Sequence, residues 1–330
     1  MGKSVFVTVC NDRDIPSAKQ LFAAAATHGC WTGDYCLICR DLKDDDIRWF
    51  RNRGVLVMPV EPIIPEDIWA SHRRGNPIPQ VALLKLYMFS EEFRQWDSVV
   101  YMDTDILIRG SIEHLAGIDS FSAVPDNSPR IKDQYLKQKV NGLPLGKKTL
   151  RMKAFNAGVL AFPTAAIPTT AFEELKEITK ETLKEAFNSD QTFLNVYFAG
   201  RWKRLPAEYN ALAAIYGRLG TKRDNRILHG ARVVHYAGVR KPSVPNNPGN
   251  TEWRNNLRTA DSAKSFSTLE PSGPEEPLSP ARSVDRVQTR LALLGPLLYP
   301  CMRLRRFTNN PAKIIKRRLG VLIPILQEAE

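Results

Sequence analysis

Two acidic side chains separated by one residue follow an apolar run near the middle of the chain. The run at 99–102 ends in Asp103, Thr104 and Asp105. Alternate residues at the end of a strand can direct both carboxylates at one cation, and Mg²⁺ and Mn²⁺ prefer oxygen ligands. Proteins commonly hold these ions with one or two carboxylates plus substrate phosphates, so the pair predicts a metal site shared with a phosphate-bearing substrate. Taken alone, the pair is also typical of a turn or a helix cap.

A histidine and two lysines are further candidates for this chemistry. His235 follows two valines, a position that suits either a third metal ligand or a buried core residue. Lys241 could supply positive charge to a leaving phosphate, and both Lys241 and Lys85 could equally be solvated surface charges. Spacing alone leaves these alternatives open.

The elements that must position these residues follow an alternating pattern. Short β-branched runs alternate with amphipathic segments, which predicts an α/β fold with a mainly parallel central sheet flanked by helices. Strands are predicted at 5–9, 35–39, 55–60, 99–102, 121–124 and 158–162, and helices at 17–26, 44–52, 81–93 and 171–186. Because ligands gather at the carboxyl ends of strands in open α/β sheets, the acids after Met102 are expected to face a binding crevice.

Composition divides the chain into three predicted parts. These are a globular domain at 1–250, a flexible linker at 251–283 and a basic amphipathic helical tail at 284–330. The linker is rich in Pro, Ser, Thr, Gly and Glu, which is typical of segments that do not fold alone. The tail repeats Leu and Ile at three- and four-residue steps among Lys and Arg, so the net charge of +12 is concentrated there.

The cysteines and the N-terminus indicate in which cellular compartment the protein is expected. Of the five cysteines only Cys36 and Cys39 are closely spaced, without the second pair that a zinc ribbon requires, so reduced thiols are expected. The chain enters its first apolar strand at Ser4, which leaves no room for a secretory signal sequence. We therefore expect a cytoplasmic protein, with a peripheral position on the cytoplasmic face of a membrane as a further expectation.

Several other short motifs follow in a fixed order along the chain. They are Lys85-Leu-Tyr, the strand ending in Asp103-Thr-Asp105, Phe155-Asn-Ala-Gly-Val159, Asp190-Gln191 with Asn195, Trp202 with Leu205, Tyr209-Asn210, and His235-Tyr-Ala-Gly-Val-Arg-Lys-Pro242. In this order they resemble the glycogenin-like retaining glycosyltransferases of family 8. The resemblance extends over residues 4–243.

This resemblance implies a GT-A fold, a UDP-sugar donor such as UDP-glucose or UDP-galactose, and Mn²⁺ (or Mg²⁺) as the metal. It implies that Asp103, Asp105 and His235 hold the metal and that Lys241 contacts the donor diphosphate. The implied donor-binding set also includes Thr8, Asn11, Lys85, Thr104, Asn156 and Gly238, and the implied catalytic pair is Asp190 and Gln191. Ser243 stands where an aromatic residue is frequent in the family, so the loop over the diphosphate is expected to pack differently.

The implied roles agree with the chemistry of glycosyl transfer. A departing diphosphate needs positive charge, and positive character that develops on the sugar is stabilised by a nearby oxygen from Gln191 or Asp190. The alternative is that Ser189, Asp190 and Gln191 are only the cap and first turn of a helix. The acceptor is expected to be a glycan, a lipid-linked sugar or a protein.

Two other functions compete with this prediction. A nucleotidyltransferase could use the same acids, but residues 9–13 lack the glycine-rich phosphate loop expected of one. A non-catalytic basic adaptor on a membrane is the other alternative. Nucleic acid is not an expected partner, because the basic tail carries aliphatic side chains and no base-reading motif.

The basic tail is predicted to dock on an anionic membrane surface. Lys and Arg near such a surface contribute about 1 kcal/mol each, and an apolar helix face can lie in the interface. The competing interpretation is that the helices within 284–326 pack on the catalytic domain or on a partner subunit.

Overall fold

The computed structural model describes residues 2–65, 69, 80–135, 140, 143–186, 189–213, 222–272 and 279–291. The strands are β1 Ser4–Cys10, β2 Asp34–Cys39, β3 Val55–Pro59, β4 Ser98–Met102, β5 Ile106–Ile108, β6 Ser122–Arg130, β7 Lys153–Pro163, β8 Lys203–Arg204, β9 Ala211–Leu212 and β10 Val233–His235. The α-helices are α1 Ile15–Thr27, α2 Asp44–Arg51, α3 Lys147–Arg151, α4 Ala171–Thr182, α5 Ser189–Tyr197, α6 Lys222–His229, α7 Asn250–Ser262 and α8 281–291.

A seven-stranded mixed sheet forms the centre of the fold, in the order β3-β2-β1-β4-β7-β6-β8. β1 to β4 run parallel to one another, whereas β7 runs antiparallel to both β4 and β6. The strand order reverses between β1 and β4, which is the switch point where open α/β folds bind ligands. Asp103 follows β4 at this edge, as the sequence predicted.

A second sheet of three strands, in the order β5-β10-β9, lies beside the first. β5 pairs antiparallel with β10 so that His235 is opposite Ile106, and the Tyr236 amide donates to the carbonyl of Asp105. Asp103 therefore directly follows a strand of the large sheet, while Asp105 directly precedes the first strand of the small one. The segment between them joins the two sheets and places both acids at their junction.

Apolar side chains pack on both faces of the large sheet. Along β1 the side chain of Phe6 enters one cluster with α1 and α2, while Val5 and Val7 enter the other with α4 and α5. This alternation is the two-residue period of a strand that is buried on both faces. The predicted α/β architecture is confirmed, and each of the six predicted strands lies on or overlaps a strand of the large sheet.

The segment predicted as a helix at 81–93 has a different backbone. It consists of two 3-10 segments, Gln80–Phe89 and Glu91–Gln95, separated at Ser90. Leu83, Leu84, Lys85 and Leu86 are consecutive and all buried. Because these four consecutive residues are all buried, this part of the segment has no polar face whose period distinguishes an α-helix from tighter turns.

The prediction of a flexible linker was wrong for its first half. Helix α7 packs along α1, with Trp253, Asn256 and Ala260 buried. Phe266 then inserts between aromatic rings of the core, 5.8 Å from the ring centre of Phe22. The overall polar composition of this stretch concealed a few apolar residues at helical spacing. These few residues are sufficient to hold the helix on the domain, because α1 supplies the complementary apolar surface.

The start of the predicted tail also belongs to the folded domain. In α8 the side chains of Val284, Val287 and Leu291 are buried in the core cluster that contains α1 and the small sheet. The interpretation that tail helices pack on the domain therefore holds for this part. The prediction for 292–330 lies outside the described residues. Among the described helices, none combines the length and the apolar character needed to cross a membrane.

Candidate active site

Asp103, Asp105 and His235 meet where the two sheets join. The Nε2 atom of His235 lies 3.0 Å from Asp105 Oδ1 and 3.6 Å from Asp103 Oδ2. One ligand atom from each residue lies within 4.8 Å of the other two, so the three side chains can share a single cation. The strand pairing explains this convergence of residues 130 positions apart, because β5 and β10 set residues 106 and 235 opposite each other.

The burial of the trio suits a metal shared with a substrate. The side chain of His235 is 3 % exposed, whereas those of Asp103 and Asp105 are 29 % and 16 % exposed. The imidazole is therefore held within the protein while the carboxylates border open space. Two carboxylates and one imidazole form a donor set that fits Mn²⁺ or Mg²⁺, and three protein ligands leave positions for substrate oxygens.

Lys241 lies at the outer edge of this trio. Its Nζ contacts Asp105 Oδ2 and its side chain is 47 % exposed, so the ammonium group borders the crevice. Burial alone would raise the pKa of Asp105, but His235 and Lys241 outweigh it and lower that pKa. The Asp105 carboxylate therefore stays ionised and remains a competent ligand.

Lys85 lies on the inner side of the site and is almost completely buried. Its Nζ contacts Asp103 Oδ1 at 3.0 Å, Asp190 Oδ2 at 2.7 Å and the carbonyl of Ala157 at 3.1 Å. Burial opposes the charged form, but the two carboxylates outweigh it and raise the pKa of Lys85. Tyr101 donates to the same Asp103 oxygen at 2.5 Å. Lys85 thus joins the predicted metal ligands to the predicted catalytic pair.

Asn156 and Gln191 belong to a network of buried amides behind the acids. Gln191 Oε1 accepts from the Ala157 amide at 3.1 Å and from Asn156 Nδ2 at 3.0 Å. Asn156 Nδ2 also donates to Asp126 Oδ1 at 3.1 Å. Helix α5 packs on β7 and carries Gln191 to this position. No motif of the sequence includes Asp126, and its place beside Asn156 depends on an irregular register between β6 and β7.

The other residues of the predicted donor-binding set lie outside this network of amides. Thr8 is fully buried and its hydroxyl donates to the carbonyl of Met102 at 2.8 Å, so its side chain links β1 to β4 and does not reach a ligand. Asn11 is partly exposed and accepts from the Arg13 amide. Thr104 is partly exposed between the two acids. Gly238 has φ of +65°, a conformation that favours glycine, and open space lies around its Cα.

Gly158 is a site residue for which the sequence indicated no chemistry. A methyl group at this position would overlap the ring of His235 and lie 3.0 Å from Asn156 Oδ1. We expect Gly158→Ala to displace the imidazole and weaken Mn²⁺ binding by about 10- to 100-fold, as the loss of a ligand's support does elsewhere. Calorimetric titration with Mn²⁺ measures this. Gly117→Ala, with open space around it, is the matched control, and equal affinities in the two variants would contradict the packing argument.

Comparison with known proteins agrees with this geometry. A model of glycosyl transferase family 8 matches residues 22–242. Galactinol synthase 3 of Arabidopsis thaliana is 27% identical over 227 residues, which cover 64% of this chain and 65% of that protein. Galactinol synthase 2 of Solanum lycopersicum is 26% identical over 228 residues, which cover 65% of this chain and 61% of that protein. The chain therefore spans less than two thirds of the length of these relatives.

Solved structures share the fold at lower identity. The galactosyltransferase LgtC, solved in complex with donor and acceptor sugar analogs, superposes with a TM-score of 0.56 at 16% identity, covering 78% of this chain and 96% of that one. The glycosyltransferase GlyE of Streptococcus pneumoniae TIGR4 superposes with a TM-score of 0.55 at 16% identity, covering 78% of this chain and 63% of that one. The family match spans most of the domain that builds the crevice, and the chain belongs to glycosyl transferase family 8.

Proposed function

We propose that the chain is a retaining hexosyltransferase that uses a UDP-sugar donor and a divalent cation, Mn²⁺ or Mg²⁺. The observation that carries the proposal is the convergence of Asp103, Asp105 and His235 within 4.8 Å at the switch point of the sheet. Family membership makes sugar transfer the chemistry, and the donor set makes a hard divalent cation the partner.

The protein groups around the crevice supply positive charge that complements the negative charge of a diphosphate. When bound, the cation supplies positive charge that stabilises the departing diphosphate. Lys241 borders the same space and supplies a second positive charge to the diphosphate. Lys85 is enclosed by Asp103 and Asp190, so we assign to it the positioning of these carboxylates rather than a direct contact with phosphate.

The surroundings of Asp190 and Gln191 support different roles for these residues towards the reacting sugar. Both lone pairs of Gln191 Oε1 are engaged, by the Ala157 amide and by Asn156. The part of Gln191 left for substrate is therefore its Nε2 amino group, which can donate to a sugar oxygen. We assign to the Asp190 carboxylate the stabilisation of positive character on the sugar, because it is the negatively charged member of the pair.

A donor screen tests this proposal. The names of the galactinol synthase relatives and of the galactosyltransferase LgtC make UDP-galactose the first donor to test, beside UDP-glucose. We expect slow release of UDP without acceptor in the presence of Mn²⁺, no release with EDTA, and a higher unfolding temperature with the active donor. GDP-mannose and ADP-glucose serve as controls. If no donor of the panel gives metal-dependent UDP release or a thermal shift, the proposal is wrong.

The same assay of UDP release identifies the class of acceptor. We propose a glycan, a lipid-linked sugar or a protein as acceptor, and addition of the correct class is expected to accelerate UDP release. Mass spectrometry of the incubated chain tests whether it glycosylates itself. If no candidate from the three classes accelerates release from an active donor, the proposed acceptor classes are wrong.

We also propose that residues 292–330 hold the enzyme on an anionic cytoplasmic membrane face. The support is the basic, Leu- and Ile-rich sequence beyond α8, together with the free thiols of Cys10, Cys30, Cys36 and Cys39, which suit a reducing compartment. Replacing Lys316, Arg317 and Arg318 by Gln in the full chain is expected to weaken binding to phosphatidylserine vesicles roughly a hundredfold, at about 1 kcal/mol per charge.

Vesicle sedimentation measures this effect. The matched control replaces three exposed basic residues of α3, Lys147, Lys148 and Arg151, by Gln, and it is expected to bind like the unaltered chain. Equal binding of both triple variants would contradict the membrane proposal, and recovery of the protein from a secreted fraction of cells would contradict the location.

A further inference from the structure

The His235 imidazole has a second partner on the side away from the acids. Its Nδ1 lies 2.9 Å from Oδ1 of Asn210, and both residues are buried. Asn210 immediately precedes β9, which pairs in parallel with β10 and so holds Asn210 beside the histidine strand. Asn210 belongs to the Tyr209-Asn210 motif, whose sequence alone indicates no chemical role for it.

A chain of amides fixes which atom of Asn210 faces the ring. The Gly158 amide can only donate, and it donates to Asn156 Oδ1 at 3.0 Å. Asn210 Nδ2 donates to that same oxygen at 2.8 Å, which leaves Asn210 Oδ1 facing His235. An oxygen acceptor at Nδ1 requires a proton on Nδ1, and Nε2 is then the ring nitrogen that faces Asp103 and Asp105. A ring that keeps its proton on Nδ1 can offer the lone pair of Nε2 to a cation held by the two acids, which is the tautomer that a metal ligand needs.

The backbone of Asn210 is held in turn by a residue far along the chain. Gln288 of α8 donates from Nε2 to the Asn210 carbonyl at 3.2 Å and accepts from the Leu212 amide at 3.2 Å. Gln288 is 4 % exposed, so water does not substitute readily for these bonds. One side chain thus fixes the backbone on both sides of Ala211, next to the residue that orients the histidine.

Helix α8 is anchored well enough to act as a fixed support. Besides its buried Val284, Val287 and Leu291, Asp285 accepts from the Ala207 amide at 3.0 Å and pairs with Arg204 at 2.9 Å. The family match ends at residue 242, so this helix lies outside it.

We infer that Asn210 is a positioning residue that sets the tautomer and direction of His235, and that Gln288 supports Asn210, which makes helix α8 part of the metal site. The inference rests on the proposed metal-binding function. It also explains why two polar side chains from distant segments are buried beside a catalytic crevice.

Two measurements test it on the full-length protein. Nitrogen-15 NMR of the histidine rings in the metal-free protein reports which ring nitrogen is protonated, and calorimetric titration gives the Mn²⁺ affinity. Asn210→Leu is expected to abolish the preference for the Nδ1-protonated form of His235 and to weaken Mn²⁺ binding by about 10- to 100-fold. Asn210→Asp keeps an acceptor oxygen and is expected to keep the tautomer.

The Gln288→Leu variant tests the second step. It is expected to weaken Mn²⁺ binding by several-fold, whereas Thr289→Ala, an exposed neighbour on the same helix, is expected to leave it unchanged. Thermal unfolding confirms that each variant is folded, and Gln288→Leu carries the test if Asn210→Leu does not fold.

The outcomes separate this inference from the proposed function. If the unaltered protein binds no Mn²⁺, the metal proposal itself fails. If it binds Mn²⁺ and the folded variants at 210 and 288 bind equally tightly with an unchanged tautomer, the metal proposal stands and the positioning inference is wrong.

Discussion

Replacing Asp105 by asparagine is expected to lower the turnover of the active UDP-sugar by about a thousandfold or more and to abolish tight Mn²⁺ binding. Asparagine keeps the shape of the side chain and removes the negative charge that lies 3.0 Å from His235 Nε2. Loss of the bound cation removes several kcal/mol of charge stabilisation from the departing diphosphate, and about 4 kcal/mol corresponds to a factor of a thousand. Steady-state UDP release and Mn²⁺ titration measure the two effects.

Asp12→Asn is the matched control for this change. Asp12 is an exposed acid just beyond β1, and it is not a member of the ligand group. The same loss of one charge there is expected to change turnover by less than about threefold, since exposed charges are screened by water and salt. An Asp105→Asn variant that retained metal-dependent turnover like the Asp12→Asn control would refute the assignment of the metal site.

Much of the fold could be predicted because its signals are local. The apolar runs ending at Val9, Cys39 and Met102 combine β-branched, aromatic and other apolar residues, as strands buried on both faces do, and all three lie in strands of the large sheet. The acids follow the last of these runs, so the position of Asp103 at the carboxyl edge followed from the sequence.

The parts that could not be predicted depend on contacts between distant segments. The convergence of His235 on Asp105 depends on the pairing of β5 and β10, two strands of three residues each that are too short for a periodic signal. The resemblance implies a donor contact for Thr8 near the end of β1, but the pleat directs its hydroxyl to Met102. Gln288 lies in a stretch whose basic composition suggested a membrane surface and concealed its contact with the site.

Replacing the buried Lys85 by methionine is expected to lower the free energy of unfolding by about 3–5 kcal/mol at neutral pH, the cost of removing one partner from a buried ion pair. Methionine nearly conserves the volume, so the effect reports charge more than packing. Asp103 and Asp190 would be left facing each other without the ammonium group that lies 3.0 Å and 2.7 Å from them. Lys180→Met removes an exposed ion pair with Glu177 in α4 and is expected to cost less than about 1 kcal/mol.

The pH dependence of this variant follows from Asp190. Burial already raises the pKa of Asp190, and Lys85 opposes that rise. Without Lys85, the pKa of Asp190 in the folded state rises further above its value in the unfolded chain. A carboxyl group with such a raised pKa destabilises the fold fully when the pH is above its folded-state pKa. The destabilisation becomes smaller as the pH falls towards the pKa of the unfolded chain. The stability difference between Lys85→Met and the unaltered protein is therefore expected to be smaller at pH 5 than at pH 8. Urea unfolding at both pH values measures it, and a difference below about 1 kcal/mol, or one that does not change with pH, would mean that Lys85 does not hold the two carboxylates together.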